Sequence, residues 1–536
     1  MLGQHLRIRH LVQVSPIQQR IQTRAACAAF NGSQIEIANT SEWDQARPYN
    51  HIPKLGTAQF LFHMLPGGRY HKMEFPEIML DLHRRHGSLY RLPGIMGKAE
   101  FLVSNDPAHF ERVYRVEGPW PERQGKSILD YHRSHIRKDF YQGIEGILST
   151  DGEMWSKFRS TVNPVMMQPK IVRLYYQKMS NVNKEFIQRI REIRDSNTFE
   201  VPNNFEEEIN RWTLESVSVI ALDKQLGLIN KNRNNPEAKK LFDNINQFFV
   251  LAAKIELKPS FWRYLPSPLF NKALKALDTI QDVSVGYVNE ALERLEREPT
   301  KKPEHEQSVL EKLLKIDKKV AIVMAMDMLV AGVDTTTSTL TGCLLCLAKN
   351  PEKQAKLREE ILRILPHKDS EFTESSLNNM PYLRACIKES LRIYPLLSGN
   401  SRVTKSDIVL NGYQIPKETA VIMHYYVLHM DDQHFPRSKE FLPERWLRQT
   451  NEEARDSKCP SNSLKASNPF VYLPFGFGPR MCIGKRIVEM ELELGIARLI
   501  RNFYIEFNHS TTKAFKSQFI NVPNIPLKFK FTDVQN

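Results

Sequence analysis

Long segments with helical spacing dominate this 536-residue chain and restrict what it can fold into. Apolar residues recur at intervals of three and four in residues 159–197, 205–226, 237–255, 271–297 and 308–350. Strand patterns are fewer and comprise residues 101–104, 408–410 and 413–415, the last two joined by the hairpin pair Asn411-Gly412. Residues 420–426 are expected to continue the sheet that this hairpin begins. The sequence therefore predicts a mainly α fold with a small β portion.

The amino terminus differs from the rest of the chain in its charge. The whole chain has 75 Lys+Arg against 61 Asp+Glu, and its first 35 residues contain Arg7, Arg9, Arg20 and Arg24 but no acid. Arginine and glutamine interrupt every apolar run there, so the segment lacks the compact apolar core of a secretory signal. A basic, acid-free and amphipathic start is typical of an organellar transit peptide, here predicted over residues 1–30. A disordered basic tail is the alternative.

The remainder is predicted to form one domain over residues 48–533, because no long linker divides it. The most polar stretch, residues 451–468, is interpreted as a surface loop. Six cysteines in so long a chain do not form a disulfide framework. The most apolar long segment, residues 320–333, contains Asp327 and is shorter than the roughly 18 to 20 residues of a membrane span. A transmembrane protein is therefore not expected.

A glycine-rich loop at residues 475–484 presents a single cysteine ahead of a helix predicted over residues 484–503. Gly478 and Gly484 permit tight turns. The helix N-terminus and Arg480 should favour the thiolate form of Cys482. A structural zinc site would need four ligands, and no second Cys or His pair is close in sequence. The pattern predicts one axial metal–thiolate bond, and a buried cysteine in a core turn is the alternative.

The longest predicted helix contains a segment that is unfavourable for helix formation. Gly332 and the threonines that follow it are poor helix residues, which often marks a functional site. Gly332 is interpreted as leaving room for a ligand near the backbone. Asp334 and Thr335 supply a carboxylate and a hydroxyl, which are the components of a proton relay. A threonine-rich helix that faces the core is the alternative.

The cysteine loop resembles the heme-binding signature of the cytochrome P450 monooxygenases. It matches Phe-x-x-Gly-x-Arg-x-Cys-x-Gly at Phe475, Gly478, Arg480, Cys482 and Gly484. The resemblance implies heme b (iron protoporphyrin IX), with Cys482 as the axial thiolate that favours O–O cleavage. Arg480 would pair with a heme propionate, and Phe475 would pack over the ligand. The family fold would place the heme between the helix of Thr335 and the helix that follows Cys482.

Other segments resemble further motifs of the same family. By resemblance, Thr335 orients dioxygen, and Asp334 helps to deliver protons. The resemblance implies that Glu389, Arg392 and Arg445 form a buried structural triad. It also implies that Trp155 and Arg159 cap the heme propionates. Arg402 and His429 would make additional contacts with the heme. Taken alone, the Glu389–Arg392 pair at i, i+3 could equally be a weak surface pair. Trp446 stands where the family usually has Phe.

Basic residues near these motifs suggest the electron donor. Arg384 and Lys388 lie at i and i+4 on one helix, and Lys485 and Arg486 follow the cysteine loop. In mitochondrial members of the family, a basic pair at these helix positions receives an acidic ferredoxin, which an NADPH-dependent reductase supplies. Electrostatic steering explains such a pairing, although a basic stripe is more often a solvated face. A nucleic-acid partner is not expected, because no basic-aromatic platform occurs.

The resemblance also implies a location and a class of substrate. The aromatic segment at residues 261–265 corresponds to a region that dips into the membrane, or else it is ordinary packing between two helices. We expect a peripheral protein on the matrix side of the mitochondrial inner membrane. Substrate contacts are expected in residues 118–129, 325–339, 396–400 and 519–523. Cys343 and Cys346 have the spacing of a redox motif but are interpreted as core residues.

The chain looks most like insect mitochondrial members of the family. The expected function is hydroxylation of a lipophilic xenobiotic or steroid-like substrate with O2. A hormone-biosynthetic hydroxylase of the ecdysteroid type is the nearest competing interpretation. The cysteine loop is also compatible with a heme-thiolate isomerase or dehydratase, a microsomal monooxygenase, and a heme-binding sensor or carrier without turnover.

Overall fold

The computed structural model describes residues 41–94, 100–123, 128–230, 235–256, 267–297, 303–447 and 464–535. The predicted transit peptide at residues 1–30 and the predicted membrane segment at residues 261–265 lie outside these residues, as does most of the loop predicted at residues 451–468.

The described chain is mainly helical, as the sequence predicts. Its α-helices are α1 (Thr57–Met64), α2 (Phe75–His86), α3 (Pro107–Arg115), α4 (Ile128–Tyr131), α5 (Lys138–Tyr141), α6 (Gly152–Met166), α7 (Tyr176–Ile193), α8 (Phe205–Ala221), α9 (Pro236–Glu256), α10 (Pro268–Arg297), α11 (Val309–Ile316), α12 (Lys318–Lys349), α13 (Pro351–Ile364), α14 (Glu374–Asn378), α15 (Pro381–Ile393), α16 (Tyr426–His429) and α17 (Lys485–Asn502). A single π-helical turn at His132–Ile136 lies between α4 and α5.

Two segments that were predicted as single helices are each divided. The segment at residues 308–350 is divided at Asp317, whose carboxylate accepts a hydrogen bond from the Val320 amide and so caps α12. The segment at residues 159–197 is interrupted after Met166 and begins again at Tyr176. Pro169 lies in this interruption and disfavours helical geometry at the residue before it. Local capping and proline residues, rather than apolar periodicity, determine these boundaries.

The strands form one four-stranded sheet and three two-stranded sheets. They are β1 (Leu89–Leu92), β2 (Phe101–Ser104), β3 (Asn400–Val403), β4 (Ile408–Leu410), β5 (Tyr413–Ile415), β6 (Ala420–Met423), β7 (Phe503–Glu506), β8 (Phe515–Ser517), β9 (Asn521–Pro523) and β10 (Lys530–Asp533). The four-stranded order is β1-β2-β6-β3, and β2 and β6 are parallel. The prediction that residues 420–426 continue the β4–β5 sheet is therefore wrong. Strand β6 pairs instead with β2 and β3, because an extended segment can satisfy its backbone with strands that are distant in sequence.

The described residues belong to two compact units. The first comprises residues 41–52 and Ser406–Glu418 among those described, and it contains the predicted β4–β5 hairpin. Asn411 and Gly412 both have positive φ, as a tight two-residue hairpin turn requires. The Arg47 guanidinium lies 4.0 Å from the Tyr413 ring centroid. The second unit comprises Pro53–Lys405 and Thr419–Asn536 and contains every candidate site residue.

Helix α12 is the central helix of the second unit. It is long and apolar enough to cross a membrane, and among the described helices it alone meets that criterion. However, 72% of its most apolar window is buried within the protein, as expected for a core helix. It packs closely against α8, where the hydroxyls of Thr213 and Thr337 are 3.0 Å apart. A buried polar pair of this kind fixes the register of the two helices.

Candidate active site

The loop before α17 holds Cys482 through backbone hydrogen bonds. The Cys482 amide donates to the Phe475 carbonyl at 2.9 Å, and the Met481 amide donates to the Gly478 carbonyl at 3.0 Å. Gly484 is the N-cap of α17, so Cys482 lies two residues before the cap of this helix, as predicted from the sequence. The backbone therefore determines the position of the thiol.

Two glycines allow the chain to turn within this loop. Gly476 and Gly478 have φ of +73° and +71°, which residues with a side chain rarely adopt. A Cβ on Gly478 would also overlap the Glu117 carboxylate. Gly484 has φ of −82°, and a Cβ there would lie 3.9 Å from the Cys482 Sγ. Gly484 does lie in a turn, as predicted, but its conformation is open to any residue, so the turn does not require glycine.

The Cys482 thiol is accessible and yet poorly solvated. Its side chain is exposed, but burial raises its pKa, while the Gly484 amide and the positive charges of Arg159 and Arg123 act to lower it. The thiol is thus open to a small molecule although the surrounding chain disfavours its charged form. The cations with the largest effect on the pKa of Cys482 are Arg159 and Arg123. The expectation that Arg480 also favours the thiolate stays a prediction.

Four arginines lie together beside this cysteine. They are Arg123, Arg159, Arg402 and Arg480. Arg123 and Arg159 act electrostatically on Cys482, and Arg123 in turn influences each of the other three arginines or is influenced by it. Burial together with the charges of Arg123 and Arg402 lowers the pKa of Arg480 to about 10. Two carboxylates oppose them, since Arg402 pairs with Glu117 and Arg480 pairs with Asp151. Four cations against two carboxylates leave two positive charges in excess.

Trp155 lies one turn before Arg159 on α6 and contacts another arginine of this group. The Arg480 guanidinium stacks on the Trp155 ring, with its Cζ 4.1 Å from the ring centroid. The Trp155 Nε1 and Arg159 Nε donors are buried and have no hydrogen-bond partner within the described chain. Buried donors without a partner are rare in proteins, so this pair points to an acceptor that the protein does not itself provide.

The unfavourable segment of α12 contains a carboxyl group with a raised pKa. Burial and the negative charge of Glu206 raise the pKa of Asp334 to about 7. The Thr335 hydroxyl donates to the Ala331 carbonyl at 2.7 Å. A carboxyl with this pKa can gain or lose a proton near neutral pH, as a proton relay requires.

Gly332 has a packing role that the sequence did not predict. A Cβ on Gly332 would come within 2.8 Å of the Val217 Cγ2 on α8. Glycine therefore allows α8 and α12 to approach one another closely. The predicted room for a ligand beside Gly332 does not lie on this side of the helix.

The structure brings Glu389, Arg392 and Arg445 together. The Glu389 Oε1 lies 2.8 Å from the Arg392 Nη2 and 3.0 Å from the Arg445 Nε, and all three side chains are fully buried. Trp446 Nε1 donates to the Glu389 Oε2 at 2.8 Å, so this residue adds a hydrogen bond that Phe could not make. Arg392 also donates to the His429 carbonyl at 2.7 Å. The cluster joins α15 to the chain around α16 and residue 445.

The predicted basic surface is only partly available to a partner. The Arg384 Nε pairs with the Glu493 Oε1 at 2.8 Å, so its charge is balanced. Lys388 is exposed, and its Nζ lies 6.0 Å from the Trp446 ring centroid. Arg486 is exposed and donates to the Met167 carbonyl, whereas Lys485 lies 3.9 Å from Glu489. Lys388 and Arg486 are therefore the more exposed charges of the four predicted residues.

Several residues of the site were not predicted. Glu117 and Asp151 follow no local pattern, whereas Arg123 lies in residues 118–129, which were expected to contact substrate. Only the fold brings these three residues to the cysteine loop. Glu491 on α17 is fully buried, and both of its oxygens lack a hydrogen bond within the described residues. Burial raises its pKa well above the usual value. The sequence did offer a sign of this buried carboxyl group, because Glu491 lies on the apolar face of the predicted helix.

Cys343 and Cys346 are buried within α12, in agreement with their interpretation as core residues. Burial raises the pKa of Cys343 to about 12, so its thiol is inert at neutral pH.

Residues 53–532 match the family model described as Cytochrome P450, so the chain belongs to the cytochrome P450 family of heme-thiolate monooxygenases. Among individual proteins, it is 59% identical over 510 residues to cytochrome P450 CYP12A2 of Musca domestica, covering 94% of this chain and 95% of that protein. It is 58% identical over 526 residues to probable cytochrome P450 12a5, mitochondrial, of Drosophila melanogaster, covering 97% and 96% respectively. The resemblance to insect mitochondrial members is thereby confirmed.

Members of this family bind heme through a thiolate ligand, and the residues around Cys482 fit such a group. The thiol is exposed, although burial raises its pKa. The two excess positive charges of the four arginines match the two propionates of heme b. The unpartnered donors of Trp155 and Arg159 lie beside these arginines and would find acceptors in the same carboxylates.

Proposed function

We propose that this chain is a mitochondrial monooxygenase that hydroxylates a lipophilic xenobiotic or steroid-like substrate with O2 and electrons from a ferredoxin. The observation that carries this proposal is the accessible, desolvated Cys482 thiol beside Arg159 and Arg123, in a chain that belongs to the cytochrome P450 family. Bound heme would supply the activation of dioxygen. The residues of the chain would hold the heme, exclude water and move protons.

In this proposal Cys482 is the axial ligand, and the Gly484 amide stabilises its thiolate. Arg159, Arg480 and Trp155 would hold the propionates, with Arg402 as a further contact and Arg123 as an addition from the structure. The Phe475 side chain would pack over the ligand. Its carbonyl accepts the hydrogen bond of the Cys482 amide, which keeps the two residues close together. The buried triad of Glu389, Arg392 and Arg445 would hold the surrounding chain in place.

Asp334 and Thr335 would transfer protons to the reacting oxygen. Since the pKa of Asp334 is about 7, its carboxyl can carry a proton at physiological pH. The Thr335 hydroxyl donates to the helix backbone in this structure, and it would rotate to bond a ligand. Thr335→Ala should uncouple electron consumption from product formation, and unchanged coupling would remove Thr335 from the relay.

We also propose that residues 1–30 direct the chain to mitochondria and that residues 48–533 form a single domain. Relatives named as mitochondrial proteins support this location. The mature protein would be peripheral to the matrix side of the inner membrane. Replacement of residues 1–30 with a neutral sequence should abolish import, and retained import would contradict the proposal.

The electron donor would be an acidic ferredoxin with its NADPH-dependent reductase. Lys388 and Arg486 are its best candidate contacts because they are exposed, and Lys485 and the partly neutralised Arg384 would contribute less. Steering by exposed charge makes such an encounter faster at low ionic strength.

Reconstitution of the purified holoenzyme with ferredoxin, reductase and NADPH tests the function directly. We expect hydroxylated products when xenobiotics and steroids are analysed by mass spectrometry. Products from ecdysteroid precursors alone would favour the hormone-biosynthetic hydroxylase. Heme binding without any product across the panel would favour the sensor or carrier.

A further inference from the structure

Glu117 is a buried carboxylate within the arginine cluster beside Cys482. It lies just after α3, and its side chain is 3% exposed. Its Oε2 accepts a hydrogen bond from the Arg402 Nε. Its Oε1 is buried and has no hydrogen-bond partner within the described residues. Because a buried carboxylate oxygen without a donor is unfavourable, this oxygen is available to a proton.

The unpartnered oxygen lies against the cysteine loop. A Cβ on Gly478 would overlap the Glu117 Oε1, so this oxygen occupies the space that a side chain of the loop would need. The Arg402 Nη2 donates to the Phe477 carbonyl at 3.4 Å. Glu117 and Arg402 therefore form a buried pair that contacts two neighbouring residues of the loop.

The charged and titratable groups that face Glu117 come from several parts of the chain. Burial raises the pKa of Glu117 above its ordinary value, against the charges of three arginines. These are Arg402 on β3, Arg480 in the cysteine loop and Arg123 farther along the chain after α3. Tyr114 on α3 faces the same pair, with the Arg402 Cζ 5.1 Å from its ring centroid. Desolvation thus favours the protonated form of Glu117 even among these cations.

The other carboxylate of the cluster differs from Glu117 in its exposure. Asp151 pairs with Arg480, but its side chain is 42% exposed. It also accepts a hydrogen bond from the Arg123 amide at 3.2 Å. Burial raises the pKa of Asp151 as well. Because water screens an exposed charge, a change in the charge of the site should act more strongly on Glu117 than on Asp151.

We propose that Glu117 takes up a proton from water when one electron reduces the bound heme, and that it thereby makes the reduction potential depend on pH. This inference rests on the proposed placement of the heme propionates among these arginines. With both propionates bound, the four arginines would balance four carboxylates. The electron, which reduced ferredoxin loses, adds one negative charge, and a proton on the Glu117 Oε1 restores the balance. Since this coupling is reciprocal, protonation raises the potential.

Spectroelectrochemical titration of the holoenzyme from about pH 5.5 to 8.5 tests this proposal. The wild-type reduction potential should fall by about 59 mV over this range, which is a tenfold change in the equilibrium between the two oxidation states. Glu117→Gln cannot ionise, so its potential should stay near the low-pH value of the wild type at every pH. Glu117→Asp keeps a carboxyl group and should keep the dependence on pH. The matched control Asp151→Asn, which removes the more exposed carboxylate, should keep it too.

The outcomes separate Glu117 from the other groups of the site. A wild-type potential that does not change with pH would overturn the proposal without any variant. A Glu117→Gln potential that follows the wild-type slope would also overturn it and would assign the proton to another group, such as a propionate. Loss of the slope in Asp151→Asn alone would assign the proton to Asp151. If the reduced carbon monoxide complex of the wild type lacks the red-shifted Soret band, the proposed placement of the heme is itself wrong.

Discussion

Burial determines the chemistry of the two reactive side chains in the candidate site. The Asp334 carboxyl has a pKa of about 7, mainly because the surrounding protein excludes water from its charged form. The same effect raises the pKa of the Cys482 thiol against the opposing influence of Arg159 and Arg123. Metal coordination would remove the thiol proton outright. The sequence predicted these two groups from their residue types, but their pKa values depend on the surrounding protein.

The titration of Asp334 should be visible in the stability of the protein. The pKa of Asp334 is about 7 in the folded state, against an ordinary value of 3.8. Between these pH values the folded state binds a proton that the unfolded state does not. The free energy of unfolding of the wild type therefore falls as the pH rises from about 4 to 7. Asp334→Asn cannot ionise, so its free energy of unfolding should exceed that of wild type by roughly 1–3 kcal/mol near pH 8. Near pH 4 the two should be similar. Urea unfolding at both pH values measures this, and a difference independent of pH would contradict the raised pKa.

Loss of the Cys482 thiol should remove the spectral signature of thiolate ligation. We expect Cys482→Ala to lose the red-shifted Soret band of the reduced carbon monoxide complex, because no other thiol takes its position. The matched control is Cys343→Ala, which removes a buried core thiol and should keep the band. Absorption spectra of the reconstituted proteins give the result. A band that persists in Cys482→Ala would refute the assignment of the ligand.

At the scale of elements, the loop and the helix after it act as one unit. The backbone of the loop is closed by the Cys482–Phe475 hydrogen bond, and α17 begins after the cap at Gly484. Left-handed glycines allow this closure at Gly476 and Gly478. The family signature therefore includes residues that shape the backbone of the loop around Cys482.

The two signature glycines should differ in their tolerance of a side chain. Gly478→Ala should lower the free energy of unfolding by about 1–3 kcal/mol, because its φ is +71° and a Cβ would overlap Glu117. Gly484→Ala should cost less than about 1 kcal/mol, because its φ is −82° and its surroundings are open. Chemical denaturation of the two variants compares them directly. Equal losses of stability would show that the backbone conformation is not the cause.

At the scale of the whole molecule, the net charge of +14 is divided among different surfaces. Part of it lies in residues 1–30. Another part lies near Cys482 and includes the buried Arg159, Arg402 and Arg480, and the rest includes exposed cations such as Lys388 and Lys72. Exposed charges attract partners over a distance, whereas buried ones hold a ligand in place.

Removal of one exposed charge should therefore slow the encounter with the electron donor. Lys388→Gln should raise the apparent KM for ferredoxin about two- to fivefold and weaken its dependence on salt, with kcat unchanged. Lys275→Gln is the matched control, because it removes an exposed cation from α10. Steady-state turnover at several ionic strengths measures both effects. If the two variants behave alike, Lys388 does not contribute to the docking surface.

The helical fold class and the family could be predicted from the sequence alone, and the candidate site residues were named from the same motifs. Apolar periodicity is a local property, and the motifs around Cys482, Asp334 and Glu389 consist of neighbours along the chain, so both are visible without a structure. Helix boundaries were less well predicted, since they depend on single residues such as Asp317 and Pro169. The predictions for residues 1–30 and 261–265 lie outside the described chain.

Contacts between residues that are distant along the chain became visible only in the folded protein. The fold brought Arg123 and Glu117 to the cysteine loop, paired Arg384 with Glu493, and joined β6 to β2 rather than to the hairpin. It also set the raised pKa of Asp334, and it gave Gly332 its close contact with Val217. The physical reason is the same in each case. Ion pairing, desolvation and close packing depend on distances in space, and the order of residues along a chain does not specify those distances.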